Sequence, residues 1–153
     1  MRFDVLIATV DDLELLVRHR LRMFDDVFPE LIDKVNASEG ETLKWIKNKM
    51  SENELVGFIA RTSDGKVGGS GCLWIRETQP RPTSPLLKEP YLLSMFVEKA
   101  FRRKGVARLI VQSAIAWARE RGYNGITLHA SDAGSPPYES LGFEPTNEVR
   151  LKW

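Results

Sequence analysis

The run Val97-Glu98-Lys99-Ala100-Phe101-Arg102-Arg103-Lys104-Gly105-Val106-Ala107-Arg108 decides how this chain is read. Upstream, Tyr91 to Val97 is apolar almost throughout, the pattern of a central strand. Downstream, Val106 to Arg121 places Val106, Leu109, Ile110, Ala114, Trp117 and Ala118 along one side of a helix, with Gly122 as its C-cap. A buried strand therefore runs through a basic turn into a strong helix. The start of a helix exposes unsatisfied backbone N–H groups and a partial positive charge, and a glycine in the turn lets backbone approach an anion without a Cβ in the way. Lys99, Arg102, Arg103, Lys104 and Arg108 add positive charge. In outline this is a phosphate site, although an isolated R-x-x-G-x-A is more often a solvated basic helix start.

Working outward toward the N-terminus, Leu55 to Arg61 and Val67 to Arg76 form a hairpin about the turn Ser63-Asp64-Gly65-Lys66. Gly68, Gly69 and Gly71 mark a bulge or a close approach of backbone or ligand, and they predict a sheet that opens beside Val97. The segment Glu77 to Pro90, with Pro80, Pro82, Pro85 and Pro90, is a loop. Earlier still, Arg2 to Ile7 reads as a strand, followed by a helix whose capping box is Thr9 with Asp12. Arg18, His19, Arg20 and Arg22 belong at its far end, where the dipole favours cations. Phe24 to Pro29 is a bend, and a second helix starts near Ser38 or Glu39 around Trp45. Toward the C-terminus, Ile126 to Ala130 is a buried strand, Pro136 to Leu141 a short helix and Glu148 to Trp153 a terminal strand.

The 153 residues suit one domain spanning 1–153, and 22 basic against 21 acidic residues favour no charged partner. A lone cysteine, Cys72, and an N-terminus without signal-peptide character point to a cytoplasmic protein; no apolar run is long enough to cross a bilayer. His19 and His129, far apart and without a cysteine cluster, predict no metal site.

Arg102, Gly105 and Ala107, in their strand-to-helix setting, resemble the Q/R-x-x-G-x-G/A acetyl-CoA motif of the GCN5-related N-acetyltransferases (GNAT). Ser135-Pro136-Pro137-Tyr138-Glu139-Ser140-Leu141-Gly142-Phe143 is similar to that family's second signature, a tyrosine-bearing helix followed by Leu-Gly-Phe. Leu93 to Val97 resembles its pantetheine-binding strand, so the resemblance covers essentially the whole chain. It implies an α/β (α+β) GNAT fold: a mixed, mostly antiparallel sheet flanked by helices and splayed at the acetyl-CoA-binding strand.

The same resemblance implies functional residues. Met95, Phe96 and Val97 would pair through their backbones with the pantetheine arm of acetyl-CoA, the co-substrate. The amides of Arg103, Lys104, Gly105, Val106, Ala107 and Arg108 would cradle the pyrophosphate. Tyr138 would protonate the departing CoA thiolate, and Ser131 stands where a number of relatives carry asparagine. Histone-acting relatives carry a glutamate base where this chain has Tyr91, so no base is visible. Glu77, Glu89, His129 and Asp132 read as structural or merely exposed, His129 as a core histidine, and Cys72 as a small buried apolar residue. Arg22, Phe24 and Phe28 stand where this fold shapes its acceptor pocket.

The expected activity is acetyl transfer to a primary amine of a small molecule or peptide by direct attack in a ternary complex. A non-catalytic acyl-CoA-binding module would keep the phosphate turn but need no proton donor. A nucleic-acid contact is disfavoured by the near-neutral charge. The acceptor, the base and the oligomeric state, a homodimer included, stay open.

Overall fold

The computed structural model describes residues 2–130 and 138–153, so Ser131, Asp132 and the start of the expected Pro136–Leu141 helix lie outside the described residues. The elements are β1 (Phe3–Ile7), α1 (Leu13–Val27), α2 (Ile32–Ala37), α3 (Glu39–Ser51), β2 (Leu55–Thr62), β3 (Val67–Glu77), β4 (Lys88–Val97), α4 (Val106–Glu120) and β5 (Thr127–Leu128). They build one sheet in the order β1-β2-β3-β4-β5, antiparallel except for the parallel pair β4 and β5.

Side-chain alternation along the strands sorts the core onto the two faces of this sheet. Phe58 and Ala60 of β2, Leu73 and Ile75 of β3 and Leu92 of β4 meet Val106, Ile110, Val111 and Ala114 of α4 on one face. Leu55 and Ile59 of β2 and Cys72 of β3 meet Leu16 and Val17 of α1 and Ile46 of α3 on the other. Ile110, Leu73 and Ala60 have no exposed surface at all. Burying an aliphatic side chain of Leu or Ile size contributes about 1.5–3 kcal/mol.

Several expectations need correction. The capping box of Thr9 and Asp12 forms, but the helix continues to Val27, so Arg18, His19, Arg20 and Arg22 occupy its middle and its last turn holds no basic residue. Tertiary partners on the sheet, not the dipole, decide their positions. The bend shrinks to Phe28-Pro29, because Pro29 opens a 3-10 turn leading straight into α2, an element the sequence reading missed. On α4, Leu109 is exposed and Val111 takes its place in the core. β4 starts at Lys88, with Pro90 opposite Ile75. Glu148 to Trp153 is not a strand: it pairs with no strand among the described residues, and Val149, Leu151 and Trp153 are exposed. Alternation gives such a segment strand character, but a strand needs a neighbour to take its hydrogen bonds.

The glycines of β3 mark the bulge and the close approach expected of them, but they do not open the sheet. β3 stays paired with β4 as far as Gly69 opposite Val97, with one irregularity where Ser94 and Met95 face Gly71. Ser94 there adopts φ +60°. A Cβ on Gly69 would lie 2.6 Å from the Phe96 carbonyl oxygen, and one on Gly71 would lie 2.2 Å from Met95 Sδ. The glycines thus draw β4 inward and do not release it.

α1 grips the far half of β4 through a buried polar network. His19 is fully buried and Glu98 follows β4 directly. His19 Nε2 lies 3.0 Å from Glu98 Oε1, and Nδ1 lies 2.7 Å from Ser70 Oγ. A carboxylate only accepts, so Nε2 carries the hydrogen and Nδ1 accepts from the serine hydroxyl. Arg22 Nη1 donates to the same Glu98 oxygen at 2.8 Å, and Arg20 Nη1 donates to Ser94 Oγ at 2.8 Å. Burial pushes the His19 pKa below its ordinary value of 6.5, against the opposing pull of Glu98, so the ring is neutral. For Glu98 burial pushes upward, but hydrogen bonds from Arg22 and His19 outweigh it and hold the carboxyl below the usual range.

Gly69→Ala should destabilise the protein by about 1–3 kcal/mol, since backbone must move to admit the methyl group, as a urea titration would read. His19 has a depressed folded pKa, so the unfolded chain binds the extra proton first. Its stabilisation is complete above the unfolded value of 6.5 and is lost as pH falls from there through the folded pKa. Melting temperature should therefore drop as pH is lowered from 7 toward 5, and drop less steeply in His19→Gln.

Candidate active site

Among the described residues β4 has a neighbour along one edge for its whole length and along the other for two residues only. Its parallel pairing with β5 comprises Tyr91 opposite Thr127 and Leu92 opposite Leu128. Beyond Leu92 no strand among the described residues lines that side. The sheet is therefore splayed at β4, but between β4 and β5, not beside the β3 glycines as the sequence suggested. The Glu98 N–H bonds the Gly68 carbonyl at 2.8 Å. Because backbone groups alternate sides along a strand, the Val97 N–H points the other way, into the opening, its carbonyl accepting from Arg102 Nε, while the groups of Phe96 face β3. Of Met95, Phe96 and Val97, Phe96 is thus the one whose main chain is turned away from the fork.

The basic turn closes the open end of the fork. A 3-10 turn at Lys99–Phe101 is followed by Arg102 in extended conformation, Arg103 at φ +63° and Gly105 at φ +78°, the N-cap of α4. Left-handed residues just before a helix turn consecutive N–H groups toward one concavity, a form that suits an anion. A Cβ on Gly105 would meet nothing within 4 Å, so the ground in front of it is open.

The five cations of this stretch play unequal parts. Arg102 is turned away from the concavity: its Nη2 lies 2.7 Å from Asp26 Oδ2 on α1, and its Nε donates to the Val97 carbonyl at 3.0 Å. Its guanidinium also stands 5.5 Å from the Phe96 ring. Arg103 and Lys104 are exposed, and Arg108 Nη1 donates to Ser140 Oγ at 3.2 Å. Val106 is buried against the sheet and Ala107 is half-buried.

On the other side of the fork a cavity of ≈ 440 Å³ is walled by β5, by Tyr138 and by the tail around Glu144 and Glu148. Tyr138 lies in the short helical turn that ends at Gly142, and its ring packs edge-on against Phe143 at 5.7 Å. Burial raises the pKa of its phenol, which keeps the hydroxyl protonated at neutral pH.

His129 faces this cavity. It is no core histidine: its side chain is 50% exposed, its Nε2 lies 3.2 Å from Glu148 Oε1, and its Nδ1 meets the Tyr91 hydroxyl. Nothing in the sequence could have linked these residues, because the partners are 38 and 19 positions away. Glu89 ties to Arg76 and Arg81.

The remaining candidates have other partners. Arg22 is committed to Glu98, and Phe24 stacks on Phe28 with 6.4 Å between centroids. Cys72 is fully buried and its thiol is pushed up to about 12, which makes it an inert core residue.

Residues 25–152 match the family model described as the acetyltransferase (GNAT) domain. Among solved structures, the chain is similar to a GCN5-related N-acetyltransferase from Ralstonia eutropha, with 27% identity, a TM-score of 0.89 and 99% of each chain covered. It is also similar to a predicted acetyltransferase from Clostridium acetobutylicum, solved with acetyl-CoA, at 27% identity and a TM-score of 0.86 over 99% of this chain and 96% of that one. Human N-acetyltransferase 8 is 27% identical over an alignment of 107 residues that covers 67% of this chain and 44% of the human protein. The chain spans about half the length of the curated relatives it matches, at 44% and 55%. No helix among the described residues is long and apolar enough to cross a membrane. With a splayed sheet and a left-handed turn at the start of α4, and with a family model matched across nearly all of its length, the chain belongs to the GNAT acetyltransferase family.

Proposed function

We propose that this protein is an N-acetyltransferase that moves the acetyl group of acetyl-CoA onto a primary amine of a small molecule or peptide, by direct attack while both substrates are bound. The observation that carries the reading is the continuity of the open β4 edge with the concave turn at the start of α4. An exposed strand edge suits an arm built of amides, and an open helix N-terminus suits a pyrophosphate. The backbone of Met95 and Val97 is the proposed pantetheine contact, and the amides from Arg103 to Arg108 the proposed phosphate cradle. Ser131 is kept as a cofactor contact on the resemblance alone. Arg102 acts from behind, fixing the turn to α1. We assign the protein to the cytoplasm, with neither nucleic acid nor membrane as its partner.

Tyr138 is the proposed proton donor. The leaving sulfur has a proton affinity near that of a cysteine thiolate, whose pKa is about 8.5, against about 10 for a free tyrosine. Burial raises the Tyr138 value further, so full transfer runs uphill and much of the benefit lies in hydrogen bonding to the developing negative charge. Both roles require the hydroxyl.

Assaying CoA release over polyamines, amino acids, aminoglycosides and peptide N-termini tests the reading. Sustained release with one class is expected. Tight acetyl-CoA binding with no release for any amine would instead mark a binding module. Gly105→Glu puts a negative side chain into the open ground before α4, so calorimetry should find CoA binding largely abolished; wild-type affinity would remove the phosphate assignment. Tyr138→Phe should lower kcat roughly ten- to several-hundred-fold with acetyl-CoA affinity little changed, and turnover within about a factor of two of wild type would remove the acid assignment.

A further inference from the structure

At the apex of the fork three ionisable side chains stand in line. Tyr91 belongs to the first β4–β5 pair, and His129 is the first residue past the second and last, Leu92 with Leu128. The Tyr91 hydroxyl hydrogen-bonds His129 Nδ1, the two ring centroids being 5.3 Å apart, and His129 Nε2 lies 3.2 Å from Glu148 Oε1. The carboxylate can only accept, so the network assigns the hydrogen to Nε2. That leaves the Nδ1 lone pair to accept the phenolic hydrogen. The carboxylate thus holds the imidazole in the one tautomer that can take a proton from tyrosine.

We infer that Tyr91, His129 and Glu148 form the proton-accepting relay of the acetyl transfer proposed above, with Tyr91 the group that faces the amine. The inference rests on that reading. Three features of the site carry it. A primary alkylamine, with a pKa of about 10.4, must shed a proton to attack, so the reaction needs an acceptor. The half-exposed His129 ring stands in the wall of the same cavity as Tyr138, so a proton taken there can pass on to water. Tyr91 is held in place from the sheet side, edge-on to Trp74 at 6.3 Å and 4.3 Å from the Arg76 guanidinium. The charged groups around the relay are Arg20 of α1, which interacts with Tyr91, Arg76 with Glu89 behind Tyr91, and Glu139, Glu144 and Arg150 beside Glu148.

The steps balance. The alkylammonium first passes one proton to the Tyr91 oxygen, whose own proton passes to His129 Nδ1; the neutral nitrogen then forms its bond to the acetyl carbon and releases its second surplus proton to water. The carbon–sulfur bond breaks and the sulfur takes the Tyr138 proton. The imidazolium, paired with Glu148, returns its proton to water, and Tyr138 recovers one. Glu148 acts only by positioning the imidazole.

Two measurements test the relay. Long-range nitrogen–proton NMR of the protein without ligands should show His129 as the Nε2–H tautomer, and Glu148→Gln should populate the other form; an Nδ1–H ring in the wild type would overturn the relay. Kinetically, acetyl-CoA is paired with the best primary alkylamine of the panel and, separately, with hydroxylamine, whose nitrogen is already unprotonated at neutral pH. Tyr91→Phe and His129→Gln should each lower kcat roughly 10²-fold for the alkylamine but only a few-fold for hydroxylamine, at unchanged acetyl-CoA affinity. Losses that ignore the basicity of the amine, or no loss, would overturn the relay while the enzyme reading stands. No turnover with any amine would overturn both.

Discussion

Among the described residues one edge of β4 has a strand partner for two residues only, and the rest of the site is arranged around that edge. A sheet edge inside a domain leaves backbone donors and acceptors that something must satisfy. Here the opposite edge of β4 stays paired with β3 to the end, so the strand keeps its position while its free side stays available. Close approach to Gly69 and Gly71 makes that pairing tight. The opening is a stable feature of the fold because only one side of the strand gives way.

Holding such a strand falls to α1. Its middle carries His19, Arg20 and Arg22, each bonded to β3, to β4 or to the residue just after β4, and Asp26 one turn later bonds Arg102 in the basic turn. Removing one partner from a network this buried strands the others, which costs more than the network contributes when intact. Its value lies in geometry: strand, turn and the N-terminus of α4 are fixed relative to one helix. Arg102 shows that a cation in a phosphate motif can act as a strut. Its charge is spent on Asp26, and the concavity relies on backbone N–H groups and on the exposed Arg103 and Lys104.

The two proposed proton-handling groups differ for a physical reason. Tyr138 is packed against Phe143 and kept protonated by burial, as a donor should be. His129 is open to solvent and oriented by a carboxylate, as an acceptor that must later release its proton should be.

The sequence by itself determined what depends on neighbours along the chain. The capping box at Thr9, the Asp64-Gly65 hairpin, the long helix after Gly105 and the strand-turn-helix order were all legible, because caps, turns and periodicity are local. Tertiary structure decided whatever depends on which segments meet. Glu148 to Trp153 alternates like a strand yet pairs with no strand among the described residues, and the close approach expected at the β3 glycines forms without opening the sheet there. Arg102 matches a motif yet bonds Asp26, and His129, apparently a core residue, joins Tyr91 and Glu148 at the fork. Hydrogen bonds between residues far apart in sequence leave no periodic trace, so only the folded chain could show them.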